Sequence, residues 1–144
     1  MACWGGDEIN WIREGKHYGF PYRAYGIPYG GARAWAPNRR YDKSAYEEPL
    51  LAFGESQGIS DITQVRLDGV DGWENVLLVA TLNKRNLYRL VVEQGRVVVI
   101  EPIVTGIRVR AIEFHDNTVY MVTDESGGSR VYRFDIDYRY DEFE

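Results

Sequence analysis

One stretch decides the fold of this chain, residues 72–134, which read GWENVLLVATLNKRNLYRLVVEQGRVVVIEPIVTGIRVRAIEFHDNTVYMVTDESGGSRVYRF. Its short runs of Val, Ile, Leu and Tyr are separated by turn signals at residues 83–85, 94–95, 116–117 and 126–128. Strand-type residues bounded by such breaks indicate consecutive antiparallel hairpins. No run keeps a helical period. The stretch therefore predicts an all-β fold, built as a meander of antiparallel strands.

The composition suits one all-β domain with many turns. A chain of 144 residues can bury roughly two-thirds of its unfolded surface as a single domain. Aromatic residues make up 14% of the chain, and there are 15 glycines, which is not the profile of a disordered segment. The 17 basic and 22 acidic residues give a net charge of −5, which argues against a broad nucleic-acid-binding surface.

Sequence features also limit the compartment and the kind of metal site. Cys3 is the only cysteine, which excludes an intrachain disulfide and a thiol-based metal cluster. No run approaches the ~20 apolar residues that span a bilayer, so we expect no membrane span. The first residues, MACWGGDEIN, lack the basic region and apolar run of a secretory signal.

Strand spacing predicts repeated four-stranded units. Strands are predicted at ISDITQVRL, ENVLLVATL, NLYRLVVEQ, RVVVIEPIV, VRAIEFH, TVYMVTD and SRVYRFD, and a unit of about 45 residues with four up-and-down strands is typical of a β-propeller blade. We predict one domain over residues 1–144, with a partial blade and long loop at 1–58, a blade at 59–104 and an incomplete blade at 105–144. Propellers close with about four to eight blades. Unpaired edge strands therefore favour association, either with a second chain that completes the propeller or as a homo-oligomer.

The first third of the chain predicts little regular structure. Residues 2–14 predict a turn at CWGGDE followed by a short strand at INWIRE. Residues 15–49 are irregular and rich in Tyr, and they form either a wall of a binding site or a loop that covers a sheet edge. A short strand is predicted at residues 50–53. The last residues, DIDYRYDEFE, are either a final strand or a frayed terminus.

Two small motifs in this part are candidate sites. Gly5 and Gly6 permit positive φ, and Asp7 and Glu8 follow them, so the four residues could bind a cation. The alternative is a turn with solvated carboxylates. A second motif, G-x-S-x-G around Ser56, fits a bare nucleophile pattern, but that pattern needs a helix after it and a strand is predicted there.

Three segments resemble the glucose/sorbosone dehydrogenase family, the soluble quinoprotein aldose dehydrogenases. They are GGDEINWIREGKHYGFP at 5–21, GWENVLLVATLNKRNLYRL at 72–90 and IRVRAIEFHDNTVYMVTDESG at 107–127. Their order and spacing resemble the C-terminal part of that family. The resemblance implies a partial six-bladed β-propeller of about two to three four-stranded blades.

The resemblance also implies a cofactor and its ligands. In this family pyrroloquinoline quinone is held with calcium at the mouth of the propeller channel, and a sugar is oxidised by hydride transfer to the quinone. Arg108 and Arg110 match the two arginines that contact the quinone. The family's lysine falls at Asn83, with Lys84 one place away. Trp4, Gly5 and Gly6 are what remains of the family's calcium loop, and Asp7 and Glu8 follow them. The family is usually periplasmic or secreted.

The two arginines can be interpreted from their own spacing as well. Residues two apart on a strand share a face and lie about 7 Å apart. Guanidinium groups so placed can bind carboxylates by bidentate hydrogen bonds. The alternative is a pair of solvated arginines at the start of a strand.

No residue is assigned as the catalytic base. The family's catalytic histidine lies in its N-terminal half, and neither His17 nor His115 matches it. Three hypotheses follow: part of an aldose dehydrogenase that is active only when completed, a non-catalytic interaction or structural module, or a self-assembling chain whose copies supply missing strands.

Overall fold

The structure, a computed structural model, describes residues 5–20, 25–26, 45–67, 70 and 72–136. The chain forms two compact units, Met1–Gly58 and Ile59–Glu144. All regular secondary structure in the described residues is β-strand apart from a short turn at Ala45, which confirms the all-β prediction. The strands are β1 (Glu8–Ile9), β2 (Leu51–Ala52), β3 (Ile59–Val65), β4 (Val76–Thr81), β5 (Asn86–Glu93), β6 (Arg96–Val104), β7 (Val109–His115), β8 (Thr118–Thr123) and β9 (Val131–Asp135).

In the described residues of the Met1–Gly58 unit, β1 pairs antiparallel with β2 in a small sheet. The predicted strand at INWIRE is wrong beyond Ile9, where β1 ends. The hydroxyl of Tyr18 accepts the Arg13 N–H at 2.8 Å and donates to the Trp11 carbonyl at 2.6 Å. Because a side chain takes these backbone groups, this part of the chain turns instead of extending β1.

Where the structure describes the Ile59–Glu144 unit, its strands form two antiparallel sheets, with strand orders β3-β4-β5-β6 and β7-β8-β9. Two of the hairpins have two-residue turns in which both residues have positive φ, 48° and 74° at Gln94 and Gly95, and 48° and 59° at Asp116 and Asn117. This conformation matches the right-handed twist of the flanking strands. The turns therefore fix the register of the strands on either side.

The hydrophobic core lies between these two sheets. Alternate residues of β4 face it, because successive side chains on a strand point to opposite sides. The buried cluster consists of Val65, Leu67, Val76, Leu78, Ala80, Leu87, Val91, Val109, Ile112, Val119 and Met121. Five strands from both sheets contribute to this cluster, so it holds the sheets together.

The segment GWEN at residues 72–75 is held by an arginine of the sheet. The guanidinium of Arg89 on β5 lies 4.7 Å from the centre of the Trp73 ring. The same guanidinium donates to the Gly72 carbonyl and to Glu101 on β6, the latter at 3.2 Å. Arg89 therefore ties the segment before β4 to two strands of the sheet.

Side chains of β3 form hydrogen bonds with the edge of β7 that does not pair with β8. The Ser60 hydroxyl donates to the Val109 carbonyl at 2.6 Å. The Asp61 carboxylate accepts the Ile112 N–H at 3.0 Å, and Thr63 accepts from Phe114 at 3.3 Å. Backbone N–H and C=O groups at the edge of β7 are thus satisfied by side chains of β3. These hydrogen bonds hold the two sheets together where β3 and β7 meet.

We expect Asp61→Ala to lower the free energy of unfolding by about 1–3 kcal/mol, because it leaves the half-buried Ile112 N–H without an acceptor. Asp61→Asn keeps an acceptor oxygen and is the matched control, with a smaller expected loss. Urea unfolding followed by circular dichroism measures both. Equal losses for the two variants would contradict the role of the hydrogen bond.

Several predictions fall on residues that the structure does not describe. Most of the irregular segment 15–49 and the tail 137–144 lie outside the described residues. In the part that is described, no helix is long and apolar enough to cross a membrane.

Candidate functional site

Arg108 and Arg110 meet at one acidic side chain, Asp124. Arg108 directly precedes β7 and Arg110 is its second residue. Their Nη2 atoms lie 3.4 and 2.8 Å from the same oxygen, Oδ2 of Asp124. The Arg108 Nε also donates to the Asp124 carbonyl at 3.1 Å. Two guanidinium groups therefore share one carboxylate oxygen.

Arg108 also connects the two sheets. Its Nη1 donates to the Leu82 carbonyl at 3.3 Å, and its backbone N–H donates to Oε1 of Glu125 at 2.9 Å. Leu82 immediately precedes Asn83 and Lys84 in the connection between β4 and β5. The structure therefore brings all four predicted quinone ligands to one end of the two sheets.

The connection that carries Asn83 and Lys84 is anchored on both sides. The buried Thr81 hydroxyl donates to the Asn86 carbonyl at 2.8 Å and accepts the Asn86 N–H at 3.1 Å. The Arg85 carbonyl accepts from the Thr105 hydroxyl at 2.7 Å. Because both ends are held, the position of this connection beside Arg108 is defined by the fold.

The two arginines differ in their exposure and in the number of hydrogen bonds that they donate to the rest of the protein. The Arg108 side chain is 34% exposed and donates through Nε, Nη1 and Nη2 to Asp124 and Leu82. Arg110 is 57% exposed, and its described side-chain hydrogen bond is the one to Asp124. Arg110 is therefore the more accessible group for an anionic ligand, and Arg108 is the more structural one.

Asp124 and Glu125 were not singled out from the sequence. Counting outward from the turn at Asp116 and Asn117 in a regular ladder places Glu125, not Asp124, opposite Arg108. A register shift between Val109 and Ala111 puts Val109 opposite Thr123, so Asp124 lies beside Arg108 instead. Regular register therefore predicts an acidic residue beside Arg108 but not which one, because it does not show the bulge.

Residues 5–8 form a tightly held turn. Oδ2 of Asp7 accepts the N–H groups of Gln57 and Gly58 at 2.5 and 2.9 Å. Glu8 accepts from the Asn10 amide and from the Tyr25 N–H, both at 3.4 Å. Among the residues that the structure describes, no group of three or more His, Cys, Asp or Glu side chains could hold a metal ion. Calcium binding by Gly5, Gly6, Asp7 and Glu8 stays a prediction.

Both histidines have local structural contacts. Nδ1 of His17 accepts the Gly19 N–H at 2.8 Å, and the ring packs edge-on against Tyr46 at 5.0 Å. His115 lies 3.2 Å from Asp116 at an exposed hairpin turn. Ser56 lies in the loop before β3, so the helix that a nucleophile elbow requires does not follow it.

Comparison with known proteins decides the family. The sequence model of the family Glucose / Sorbosone dehydrogenase matches residues 3–133. The chain belongs to this family. It is 30% identical over 128 residues to the aldose sugar dehydrogenase YliI of Escherichia coli strain K12, covering 86% of this chain and 34% of that protein.

Solved structures agree with the assignment to the glucose/sorbosone dehydrogenase family. A glucose dehydrogenase crystal structure superposes with a TM-score of 0.81 at 28% identity, covering 95% of this chain and 40% of the other. The PQQ-bound aldose sugar dehydrogenase of Streptomyces coelicolor, at 16% identity and a TM-score of 0.59, covers 90% and 37% of the two chains and shows the fold alone. The prediction of a partial β-propeller is confirmed. The chain spans about a third of the curated relative's length.

Proposed function

We propose that this chain forms part of the quinone site of a sugar dehydrogenase, in which Arg108 and Arg110 hold the carboxylates of pyrroloquinoline quinone. The observation that carries the proposal is the cluster of two arginines around Asp124, held against the Leu82 carbonyl. The family of the chain and the aldose sugar dehydrogenases among its relatives support the choice of cofactor and substrate class.

The donor set fits an anionic, planar cofactor. A carboxylate is bound best by a guanidinium that presents two parallel N–H groups. The Arg110 side chain is 57% exposed, so its guanidinium is accessible to such a carboxylate. Asn83 and Lys84, in the neighbouring connection, add an amide and an ammonium group at the same end of the sheets.

The residues at the proposed calcium position fit their ion less well. Calcium takes six to eight oxygen ligands. The carboxylates of Asp7 and Glu8 already accept hydrogen bonds from the chain itself. We therefore assign the chemistry of this chain to the quinone ligands and derive no step through calcium.

The proposed role of this chain is binding and orientation. Pyrroloquinoline quinone, when bound, supplies the acceptor for the hydride of a sugar. Arg108 and Arg110 would fix the cofactor through its carboxylates, with Arg108 held in place by Asp124. A base for the sugar hydroxyl is not assigned to either histidine, so oxidation requires the rest of a propeller, from a second chain or a longer one. By its family, the protein is proposed to act in the periplasm or outside the cell.

A second candidate function is a non-catalytic propeller module. Asn83 occupies the position of the family's lysine, and His17 and His115 are both engaged in local contacts. Under this hypothesis, the arginines and Asp124 stabilise the contact between the two sheets and bind no cofactor.

Titration calorimetry of the purified chain with pyrroloquinoline quinone and calcium tests the proposal. We expect binding of one quinone per chain or per dimer, weakened about 10- to 100-fold by Arg110→Ala, which removes a charge-assisted hydrogen bond. The melting temperature should change little, because the Arg110 side chain is exposed. Arg108→Ala should weaken binding and folding together, since Arg108 also bonds to Leu82.

Arg133→Ala is the matched control. Arg133 is an exposed arginine on β9 that pairs with Asp135 at 3.5 Å. Its removal should leave quinone binding unchanged. Equal weakening by Arg110→Ala and Arg133→Ala would indicate non-specific attraction, and an absence of binding to the unaltered chain would favour the non-catalytic module.

A further inference from the structure

The outer strand of the four-stranded sheet, β6, is an edge strand in the part of the chain that the structure describes. It pairs with β5 on one side and is the last strand in the order of its sheet. Within the described residues, no strand pairs with its other side. Edge strands are normally short, charged or covered, because their free N–H and C=O groups can pair with another chain. At nine residues, β6 is the longest strand described.

The side chains of β6 are apolar and exposed. Six of them are Val or Ile, and Val98, Ile100 and Val104 are 52%, 49% and 80% exposed. Arg96 and Glu101 are its charged residues, and Pro102 removes one backbone donor near its end. A strand of this composition can gain from both backbone pairing and apolar burial.

A β-bulge gives β6 an unusual arrangement of its charges. The bulge lies at Val98 and shows in the register, where the pairs on its two sides are Val99 with Val91 and Val97 with Val92. Without it, Arg96 and Glu101 would lie on opposite faces, because an odd number of positions separates them. The extra residue restores the alternation, so Arg96 and Glu101 lie on the same face.

We propose that β6 pairs antiparallel with β6 of a second copy of this chain, related by a two-fold axis perpendicular to the sheet. In this pairing Arg96 of each copy lies opposite Glu101 of the other. Val97 then lies opposite Ile100, and Val98 opposite Val99. A two-fold axis of this kind keeps each face of the sheet on the same side, and residues that pair must therefore share a face.

The strand is self-complementary in charge. Each copy offers one cation and one anion, and the pairing brings them together twice. Glu101 already binds Arg89 through Oε2 and is 57% exposed, so its other oxygen can accept from Arg96. Opposite charges directly across a strand pair stabilise it, and like charges destabilise it. A second copy therefore fits this edge better than a partner of uniform charge.

Analytical ultracentrifugation of the unaltered chain gives the first measurement. A single strand pair is a small interface, so we expect a monomer–dimer equilibrium with a dissociation constant on the order of 10–100 µM. The dimer should weaken as salt rises, because the charge pairs lie at an exposed edge. A monomer at all concentrations up to several hundred micromolar, or oligomers beyond the dimer, would overturn the proposal.

Charge reversal tests the register. Arg96→Glu places two carboxylates opposite each other, and Glu101→Arg places two guanidiniums opposite each other, so neither variant should dimerise. An equimolar mixture of the two variants restores both opposite-charge pairs and should form a heterodimer of about the original affinity. Circular dichroism spectra and melting curves check that each variant is folded, since Glu101→Arg also removes the partner of Arg89.

Val131→Lys is the control on β9, an edge strand of the three-stranded sheet in the described residues. Val131 lies on β9, at the end of the three-stranded sheet, and is strongly exposed. The proposal expects this variant to dimerise like the unaltered chain. Loss of the dimer in Val131→Lys together with its survival in Arg96→Glu would place the interface on β9 and overturn the proposal. A mixture of the two charge variants that stays monomeric, with both folded, would overturn the register.

Discussion

We expect the Gly6→Ala variant to lose about 3 kcal/mol or more of stability. Gly6 has a φ of 75°, where an L-residue costs roughly 1–2 kcal/mol. A Cβ at this position would also overlap the backbone of Tyr25 and Gly26. Backbone atoms cannot move aside as the end of a side chain can, so overpacking adds roughly 1–3 kcal/mol.

Gly15→Ala separates the two causes of this loss. Gly15 has nearly the same φ, 71°, but nothing lies within 4 Å of a Cβ there. Its expected loss is the conformational cost alone, about 1–2 kcal/mol. Urea unfolding followed by tryptophan fluorescence gives both values. Similar losses for Gly6→Ala and Gly15→Ala would show that the close approach of Gly26 does not matter.

The second large effect is expected in the core between the sheets. Leu78 on β4 is 1% exposed and belongs to the buried cluster. Leu78→Ala should lower the free energy of unfolding by about 2.7–5 kcal/mol, through lost burial and the cavity that remains.

Leu77→Ala is the matched control for Leu78→Ala. Leu77 is the neighbouring residue on the same strand, points to the opposite face and is half-buried. We expect it to cost less than half as much, because less apolar surface is lost. Denaturant unfolding with a common slope compares the two. If Leu77→Ala costs as much as Leu78→Ala, the main core does not lie on the face between the sheets.

Local patterns account for the part of the fold that the sequence predicts well. The pairs Gln94–Gly95 and Asp116–Asn117 are short-range turn signals, and each fixes a hairpin whose strands have the predicted residue types. The strands of the Ile59–Glu144 unit follow from such neighbours in the chain. The all-β fold therefore needs no long-range information.

Contacts between distant residues are what local patterns miss. The strand predicted at INWIRE ends at Ile9, because the Tyr18 hydroxyl takes the backbone groups of Trp11 and Arg13. Asp61 was not singled out, since its acceptor role depends on Ile112 in the other sheet.

At the candidate site, too, local spacing predicts part of the arrangement, and contacts between distant residues decide the rest. The spacing of Arg108 and Arg110 predicts two guanidinium groups close together, and both indeed bind one oxygen of Asp124. The spacing could not predict that Arg108 would also bind the Leu82 carbonyl, because that contact depends on how the two sheets pack. The difference between the two arginines in exposure and hydrogen bonding is a property of the tertiary structure.

Side chains of β3 bond to backbone groups of β7, but the side chains of β7 do not offer the same groups to a further strand. Both strands carry a register shift at the same place, between Ile59 and Asp61 in β3 and between Val109 and Ala111 in β7. Position by position, Ala111 therefore corresponds to Asp61 and has no acceptor to offer. A duplicated gene segment inserted after β7 would meet a different surface from the one that β3 presents. A sheet packed on the far side of β7 would therefore need another acceptor for the kind of N–H group that Asp61 satisfies in Ile112.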